Sequence, residues 1–558
     1  MRARTALLPY AVSFALFLVA QRFLQDDVAI ASAAIVVAIL QIIWRPISAT
    51  LLVLPVVAAI STANTIKFEY TGETLIWQDL AYALPNLGNN LGALLQYVDL
   101  LGLLALVGWI GVLVLAACVE RRRLSRTRAD GAIFAAIMLL AFSQSIVATI
   151  DEAAALTHED VSAWTFSGHR PSPSALERFI RSTRIASADF VYAPVGAGEY
   201  ETRAAGVSSP VVRNPGRKPD VIVILQESQF DPRQLAACES RADCRLDMFE
   251  PGARSRQFGP LRVHVKGGGT WNSELALMTG TDHHWFSRTA YAPYTVAPRI
   301  RHALGHQFRA LGYRTAVVYP VQKGMMNAFN AYRAYGMEAF FGAEALALST
   351  SWCDVTDDVM YAKLAEVRER LLGSDEQPLF LLMLTINNHG PHGKKCARPE
   401  NVISSGDSPE QQLSKKVEDY IERSIASDRA SRAFRESVLN SKRPSLILVF
   451  GDHQPSFEGV ADRMPRLPHR PMSDEEALHF ANYQFFSNVG NHSPPVRREL
   501  DVVFLPSTLL ELAGLPLGPV FDANLRLRKI CDGRLDQCPG GSFLDSYRDH
   551  LMTTGFYR

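Results

Sequence analysis

Hydrophobicity is segregated along this chain, and that segregation limits what it can fold into. Five apolar stretches, at about 5–23, 28–44, 48–65, 99–118 and 131–150, crowd the first 150 of its 558 residues. Each is about long enough to cross a hydrocarbon core roughly 30 Å thick. Beyond residue 217 the apolar runs shorten and alternate with helical patterns. The expectation is an α-helical transmembrane anchor of about five spans joined to an α/β sandwich domain with a largely parallel central sheet.

Charge orients the anchor. Arg2 and Arg4 precede the first stretch, and Asp26 and Asp27 follow it. Arg45 lies between the second and third, and Arg121, Arg122, Arg123, Arg126 and Arg128 lie between the fourth and fifth. Basic loops stay in the cytoplasm, which places everything after about residue 150 outside. The first stretch has a basic flank but no small-residue cleavage site, and further spans follow it, so it reads as a retained anchor. Lys67 and Glu69 crowd the end of the third.

Cysteines agree with an exterior domain. Cys118 ends a span, whereas Cys238, Cys244, Cys353, Cys396, Cys531 and Cys538 all fall outside. An even number there implies disulfides in an oxidising compartment. Cys238/Cys244 and Cys531/Cys538 form natural local loops, which would leave Cys353 with Cys396. No C-x-x-C spacing favours zinc. A net charge of +1 gives no case for nucleic-acid binding.

The expected plan is a transmembrane domain over 1–150, a juxtamembrane helix and linker over 151–216, a catalytic domain over 217–530 and a C-terminal tail over 531–558. Residues 66–98 read as an exterior loop, plain or with an interfacial piece. Ser174–Ile185 fits a basic amphipathic helix, and Ser208–Lys218 fits a linker. Strands are expected at Asp220–Leu225, Arg314–Tyr319, Leu379–Thr385, Ser445–Phe450 and Leu500–Leu505. Helices are expected at Trp271–Thr279, Ile300–Leu311, Thr356–Leu371, Gln412–Ser437 and Ser507–Ala513.

Ligands in open α/β sheets bind beyond the carboxyl ends of strands. Glu227, Asn387 with His389, and Asp452 with His453 each follow a different expected strand. One polar strand end means little; three that face one sheet edge suggest a site. Two carboxylates and an imidazole make a mixed oxygen and nitrogen shell for a divalent ion. Thr270 follows Gly267-Gly268-Gly269 and opens a helix. Its ordinary role would be an N-cap. A bound cation would instead make its hydroxyl a nucleophile, and the glycine turn and helix start suit a phosphate. His389, after a strand, is placed to contact the phosphate or to protonate a leaving oxygen, and Lys323, also after a strand, to meet the phosphate. His264, Lys266, Asp231, His283 and His284 are further pocket polar groups without a role.

The segments Val223-Ile224-Leu225-Gln226-Glu227-Ser228, Gly268-Gly269-Thr270-Trp271-Asn272-Ser273-Glu274, Ile386-Asn387-Asn388-His389 and Gly451-Asp452-His453-Gln454-Pro455 carry a resemblance. Together they resemble the lipoteichoic acid synthase and phosphoglycerol transferase family of the alkaline phosphatase–sulfatase superfamily. The likeness covers roughly 217–515. It implies a sulfatase-like domain outside a bacterial inner membrane and one divalent metal held by Glu227, Thr270, Asp452 and His453. Manganese is the usual ion, with magnesium and zinc open. Thr270 would take a phosphoryl headgroup from a phospholipid donor and pass it to an envelope glycan or lipid-linked sugar. His389, Lys323 and Asn387 would bind substrate.

Glycerophosphate-transferring members carry a Trp-Asn-Arg-like segment, where this chain has Met326-Asn327-Ala328. Phosphoethanolamine transfer therefore stays open, as does hydrolysis by a phosphodiesterase. A sulfatase-type hydrolase would need a C/S-x-P-x-R motif. Ser493-Pro494-Pro495-Val496-Arg497 fits that pattern but lies after the Asp452-His453 strand. The non-enzyme alternative is a membrane-anchored scaffold.

Overall fold

The computed structural model describes residues 198–208, 217–286, 291–373, 376–394, 396–457, 477–489, 494–540 and 542–557, with 46–71, 74–83 and scattered residues before position 180. It divides into two compact units, one of Met1–Phe68 with Gly72–Ala188, the other of Glu69–Thr71 with Asp189–Arg558.

In the first unit the described residues include one helix long and apolar enough to cross a membrane, Ile47–Phe68 within the helix Pro46–Thr71. It is the third of the five expected spans. Lys67, which crowds its end, pairs with Asp79 at 2.9 Å and donates to the Thr74 carbonyl at 3.1 Å, so its charge is met locally. The stretches 5–23, 28–44, 99–118 and 131–150 and the helix expected at Ser174–Ile185 fall wholly or mostly outside the described residues. Five spans are therefore an expectation, of which one helix is seen.

The second unit is built on a nine-stranded mixed sheet. Its strands are β1 (Asp220–Gln226), β2 (Ser255–Arg262), β3 (Arg314–Val318), β4 (Ala339–Phe341), β5 (Leu379–Leu384), β6 (Ser445–Gly451), β7 (Phe480–Ser487), β8 (Val496–Arg497) and β9 (Leu500–Asp501). The order is β4-β3-β5-β1-β6-β7-β2-β8, with β9 also on β2. The run from β4 to β6 is parallel throughout, while β7 is antiparallel to both neighbours. β1 is buried along its whole length, because Val221–Leu225 offer β-branched and aliphatic side chains to both faces. Truncating one of them, as in Leu225→Ala, costs about 2–5 kcal/mol.

Four of the five expected strands form with ends within a residue. The fifth differs. Only Leu500–Asp501 pair as a strand, and Val502–Phe504 turn into a 3-10 helix that leads into the helix Leu505–Leu512. The Asp501 carboxylate accepts the Val503 N–H at 3.2 Å and so caps that turn. The expected helices form as Thr270–Thr279, Leu304–Ala310, Asp357–Leu372, Pro409–Leu439 and Leu505–Leu512. The last helix, Phe543–Thr553, buries Phe543, Tyr547 and Leu551, and Tyr547 meets Tyr200 edge-on at 5.0 Å. Disulfides join Cys238 to Cys244, Cys353 to Cys396 and Cys531 to Cys538, the pairing that sequence proximity suggests.

Candidate functional site

Register places the site. β1 and β6 run parallel with Gln226 beside Gly451, so Glu227 and Asp452 emerge side by side one residue later. Gly451 has no alternative, since a Cβ there would meet the Gln229 carbonyl oxygen at 1.8 Å. Ser228 then adopts a left-handed conformation, φ 51°. That turn aims its N–H at Asp452 Oδ1 (2.8 Å) and its hydroxyl at Glu227 Oε1 (2.7 Å). Strain of this kind in a non-glycine residue gathers at sites.

The His453 N–H also donates to Asp452 Oδ1, at 2.9 Å. The other oxygen, Oδ2, is buried without a hydrogen-bond partner and lies 3.1 Å from His453 Nε2. The His453 ring is fixed by its far nitrogen: Nδ1 sits 2.9 Å from the Gln454 carbonyl, which can only accept, so Nδ1 carries the proton. Nε2 therefore points inward, 3.7 Å from Glu227 Oε1 and 3.5 Å from Thr270 Oγ1.

Thr270 is not the N-cap. Gly269, at φ 80° and ψ 30°, caps the helix Thr270–Thr279, and Thr270 is its first residue. A glycine suits that left-handed position, and it leaves the threonine hydroxyl free of capping duty. Ser273, one turn on, donates to the Asp452 carbonyl at 2.8 Å and ties the helix to the end of β6.

Burial and the Asp452 charge push the Glu227 carboxyl up to about 8. Burial would also raise Asp452, but the His453 charge and the nearby polar groups of His453, Thr270 and Ser228 outweigh it and hold it below the ordinary value. Burial alone would lower His453, yet Asp452 and Glu227 raise it to about 9. Protons thus collect where two buried carboxylates converge. Among the described residues His453 is the one cation-forming side chain within ion-pair distance of either. Buried charges of one sign call for a counterion. Donor atoms of Glu227, Asp452 and His453 lie within 4.8 Å of one another. Asp452 Oδ2, the inward-pointing His453 Nε2 and the Thr270 hydroxyl fit a divalent ion that displaces the proton held there, and the Nδ1–carbonyl bond is the usual support of a ligating imidazole.

The other expected residues divide. His389 is half-buried, its Nδ1 2.7 Å from the Gly390 carbonyl and its ring edge-on to Trp352 at 4.9 Å. Burial, then the backbone bond in opposition, then the nearby His453 charge set its pKa, which ends below the usual value. Asn387 and His389 both give their carbonyls to Arg423, at 3.1 and 3.2 Å, so this loop is held from the helix Pro409–Leu439. Lys323 is exposed, its ammonium 5.9 Å from the centre of the Phe329 ring, and no contact joins it to the cluster. Asp231 caps a 3-10 turn by accepting the Arg233 N–H. Met326 and Asn327 are consecutive left-handed residues, and Asn327 donates to the Pro293 carbonyl at 2.8 Å.

Three supporting residues had no role in the sequence reading. Ser228 and Ser273 sit inside the motifs and could have been flagged by adjacency. Glu274 is buried, accepts from the Tyr319 hydroxyl at 3.3 Å, and is pushed up to about 8 by burial. A glutamate inside a helix gives no sign of that environment.

Residues 219–515 match the Sulfatase family model. A Haemophilus influenzae protein, described as uncharacterized, is 28% identical over 346 residues, 60% of this chain and 61% of that one. A putative cyclic beta-1,2-glucan modification protein of Rhizobium meliloti is 26% identical over 250 residues, 44% of this chain and 37% of that one. The chain thus spans less than two thirds of the length of either curated relative. Among solved structures, the integral membrane protein lipooligosaccharide phosphoethanolamine transferase A from Neisseria meningitidis superposes with a TM-score of 0.53 at 12% identity, over 93% of this chain and 96% of that one. That likeness is one of fold.

Proposed function

The chain belongs to the sulfatase family, and from that premise we propose that it is a membrane-anchored, metal-dependent transferase. It moves a phosphoglycerol headgroup from a phospholipid to an envelope glycan through a phospho-threonine on Thr270. The observation that carries this is Thr270 Oγ1 at 3.5 Å from His453 Nε2, at the mouth of the Glu227–Asp452–His453 cluster. Within the same proposal, residues 1–150 anchor the chain in a bacterial inner membrane and 217–530 form a periplasmic catalytic domain.

Glu227, Thr270, Asp452 and His453 would hold a divalent ion, which when bound would lower the pKa of the Thr270 hydroxyl and offset charge on a transferring phosphoryl group. Thr270 Oγ1 attacks phosphorus, the bond to diacylglycerol oxygen breaks, and the released alkoxide takes up the proton given up at Thr270. The start of the helix Thr270–Thr279 holds the anionic oxygens. In the second step an acceptor hydroxyl attacks the phospho-threonine and Thr270 is regenerated. His389 suits the acceptor's proton. Its Nδ1–H is committed to the Gly390 carbonyl and its ring is held neutral, so Nε2 can accept.

A glucan acceptor is supported by the likeness to the putative cyclic beta-1,2-glucan modification protein of Rhizobium meliloti. Incubating the full chain in detergent with labelled phosphatidylglycerol or phosphatidylethanolamine and a β-glucan tests the whole proposal. Labelled glycerophosphoglucan with released diacylglycerol supports it. Label from phosphatidylethanolamine alone reassigns the donor. Free headgroup phosphate without glycan label makes the chain a hydrolase, and no turnover of either lipid returns it to the scaffold alternative.

A further inference from the structure

A second group of ligating side chains lies outside the candidate site, around the helix that bears Thr270. His264 follows β2 and precedes the glycine turn; Asp282 and His284 follow the end of the helix. His264 Nδ1 is 3.2 Å from Asp282 Oδ2, and His284 Nδ1 is 2.8 Å from Asp282 Oδ1. One ligand atom from each of the three lies within 4.8 Å of the others. His264 Nε2 meets Asp501 at 3.0 Å.

The tautomer decides what this arrangement wants. A carboxylate accepts hydrogen bonds, so the Asp501 contact puts the His264 proton on Nε2. Nδ1 then faces a second carboxylate oxygen, Asp282 Oδ2, in a pocket where Asp501 is wholly buried, so a cation must bridge that gap, either a second proton on the ring or a metal ion. That nitrogen is itself buried and is aligned with no hydrogen-bond partner. A divalent ion in place of that proton would meet the lone pairs of Nδ1 and of the carboxylate at once. Ligands at about 2.0–2.1 Å from a tetrahedral zinc ion stand roughly 3.3 Å apart, close to the separations observed. A carboxylate behind a histidine whose other nitrogen faces inward is the common outer support of a metal ligand.

We propose that His264, Asp282 and His284 form a second metal site, for a divalent ion of the zinc class, with Asp501 orienting His264. Two imidazoles select such an ion over calcium or magnesium, which take oxygen ligands. The ion would tie the segment before the nucleophile helix to the segment after it, and so fix both ends of that helix. The inference does not depend on which group Thr270 transfers.

The test is zinc stoichiometry of the full chain in detergent, stripped with chelator, reconstituted with Zn2+ and measured by mass spectrometry. Two equivalents are expected for the wild type, one for Asp452→Asn and one for His284→Ala. Cobalt in Asp452→Asn should give the visible absorption of a tetrahedral histidine-bound ion, and the double variant should lose it. A wild type with one equivalent, abolished by Asp452→Asn, overturns the second site. So does an equivalent in Asp452→Asn that persists when His284 is also replaced. The wild-type count and the Asp452→Asn spectrum decide even where His284→Ala fails to fold. Loss of the first equivalent in Asp452→Asn bears on the proposed function, and retention of the other bears on this site.

Discussion

Nε2 of His453 faces Oγ1 of Thr270 at 3.5 Å, while Nδ1 of the same ring is spent on the Gln454 carbonyl. In the proposed mechanism the inward nitrogen serves as a metal ligand and the threonine beside it carries the covalent phosphoryl group. Thr270→Ala should abolish transfer by about 10³-fold or more, since the chemistry loses its nucleophile. Thr270→Ser should keep part of it. Intact mass after a quenched reaction should show a phosphorylated chain in the wild type and none in Thr270→Ala. An alanine variant with wild-type turnover would remove Thr270 from the mechanism.

Metal affinity should fall in acid. The Glu227 carboxyl is pushed up to about 8 and the His453 imidazole to about 9, so both hold protons at neutral pH in the metal-free protein. An incoming ion must displace them. Below pH 8 the apparent affinity should drop by up to about 100-fold per pH unit, two decades for two protons. Calorimetry in two buffers of different ionisation enthalpy measures the protons released. A count of zero between pH 6 and 8 would contradict the charge assignment.

Glu274 makes a separate prediction about stability. Burial raises its carboxyl from 4.5 to about 8. Because the folded value lies above the unfolded one, its contribution is whole below about pH 4.5 and erodes as pH rises toward 8. The slope is about 1.4 kcal/mol per unit. Glu274→Gln keeps an amide for Tyr319 and removes the titration. Chelator-treated wild type should lose melting temperature between pH 5 and 8 faster than this variant. Parallel profiles would show that Glu274 is ionised in the fold.

The Cys353–Cys396 disulfide should matter more than the shorter ones. It closes a separation of 43 residues, against 6 for Cys238–Cys244. Loop-closure entropy assigns them about 4 and about 2 kcal/mol. Cys353 also adjoins Trp352, whose ring stands edge-on to His389 at 4.9 Å. Replacing Cys353 and Cys396 by serine should lower both melting temperature and turnover, while the Cys238/Cys244 pair should affect melting alone. Equal effects on turnover would separate Trp352 from His389 function.

The strand ends were legible because β1 and β6 are unbroken apolar runs that stop at an acid, and parallel register then brings Glu227 and Asp452 together. β2 was not legible: Ser255–Arg262 mixes polar residues with Gly259 and Pro260, and only pairing with β7 makes it a strand. Val502–Phe504 reads as a strand by composition, but the Asp501 cap turns it into a helix. Lys323 follows β3 as expected and still points to Phe329, because strand-end position fixes the backbone and not the side chain. The His264–Asp501 contact spans 237 positions and no local pattern announces it.

His389 distinguishes the two halves of the proposed reaction. Its Nδ1–H is held by the Gly390 carbonyl at 2.7 Å, and its pKa is below the ordinary imidazole value because the ring is buried. A neutral ring with a bare Nε2 can take a proton from an incoming hydroxyl but has none to give a departing oxygen. His389→Gln should therefore leave phospho-threonine formation within about tenfold of wild type and slow its breakdown by about 10²–10⁴-fold. The phosphorylated chain would accumulate, visible by intact mass during turnover. The pH–rate profile of the second step should lose its acidic limb, since no imidazole remains to be protonated. Slower formation with no accumulation would instead make His389 an acid for the first step, or a residue that binds the headgroup.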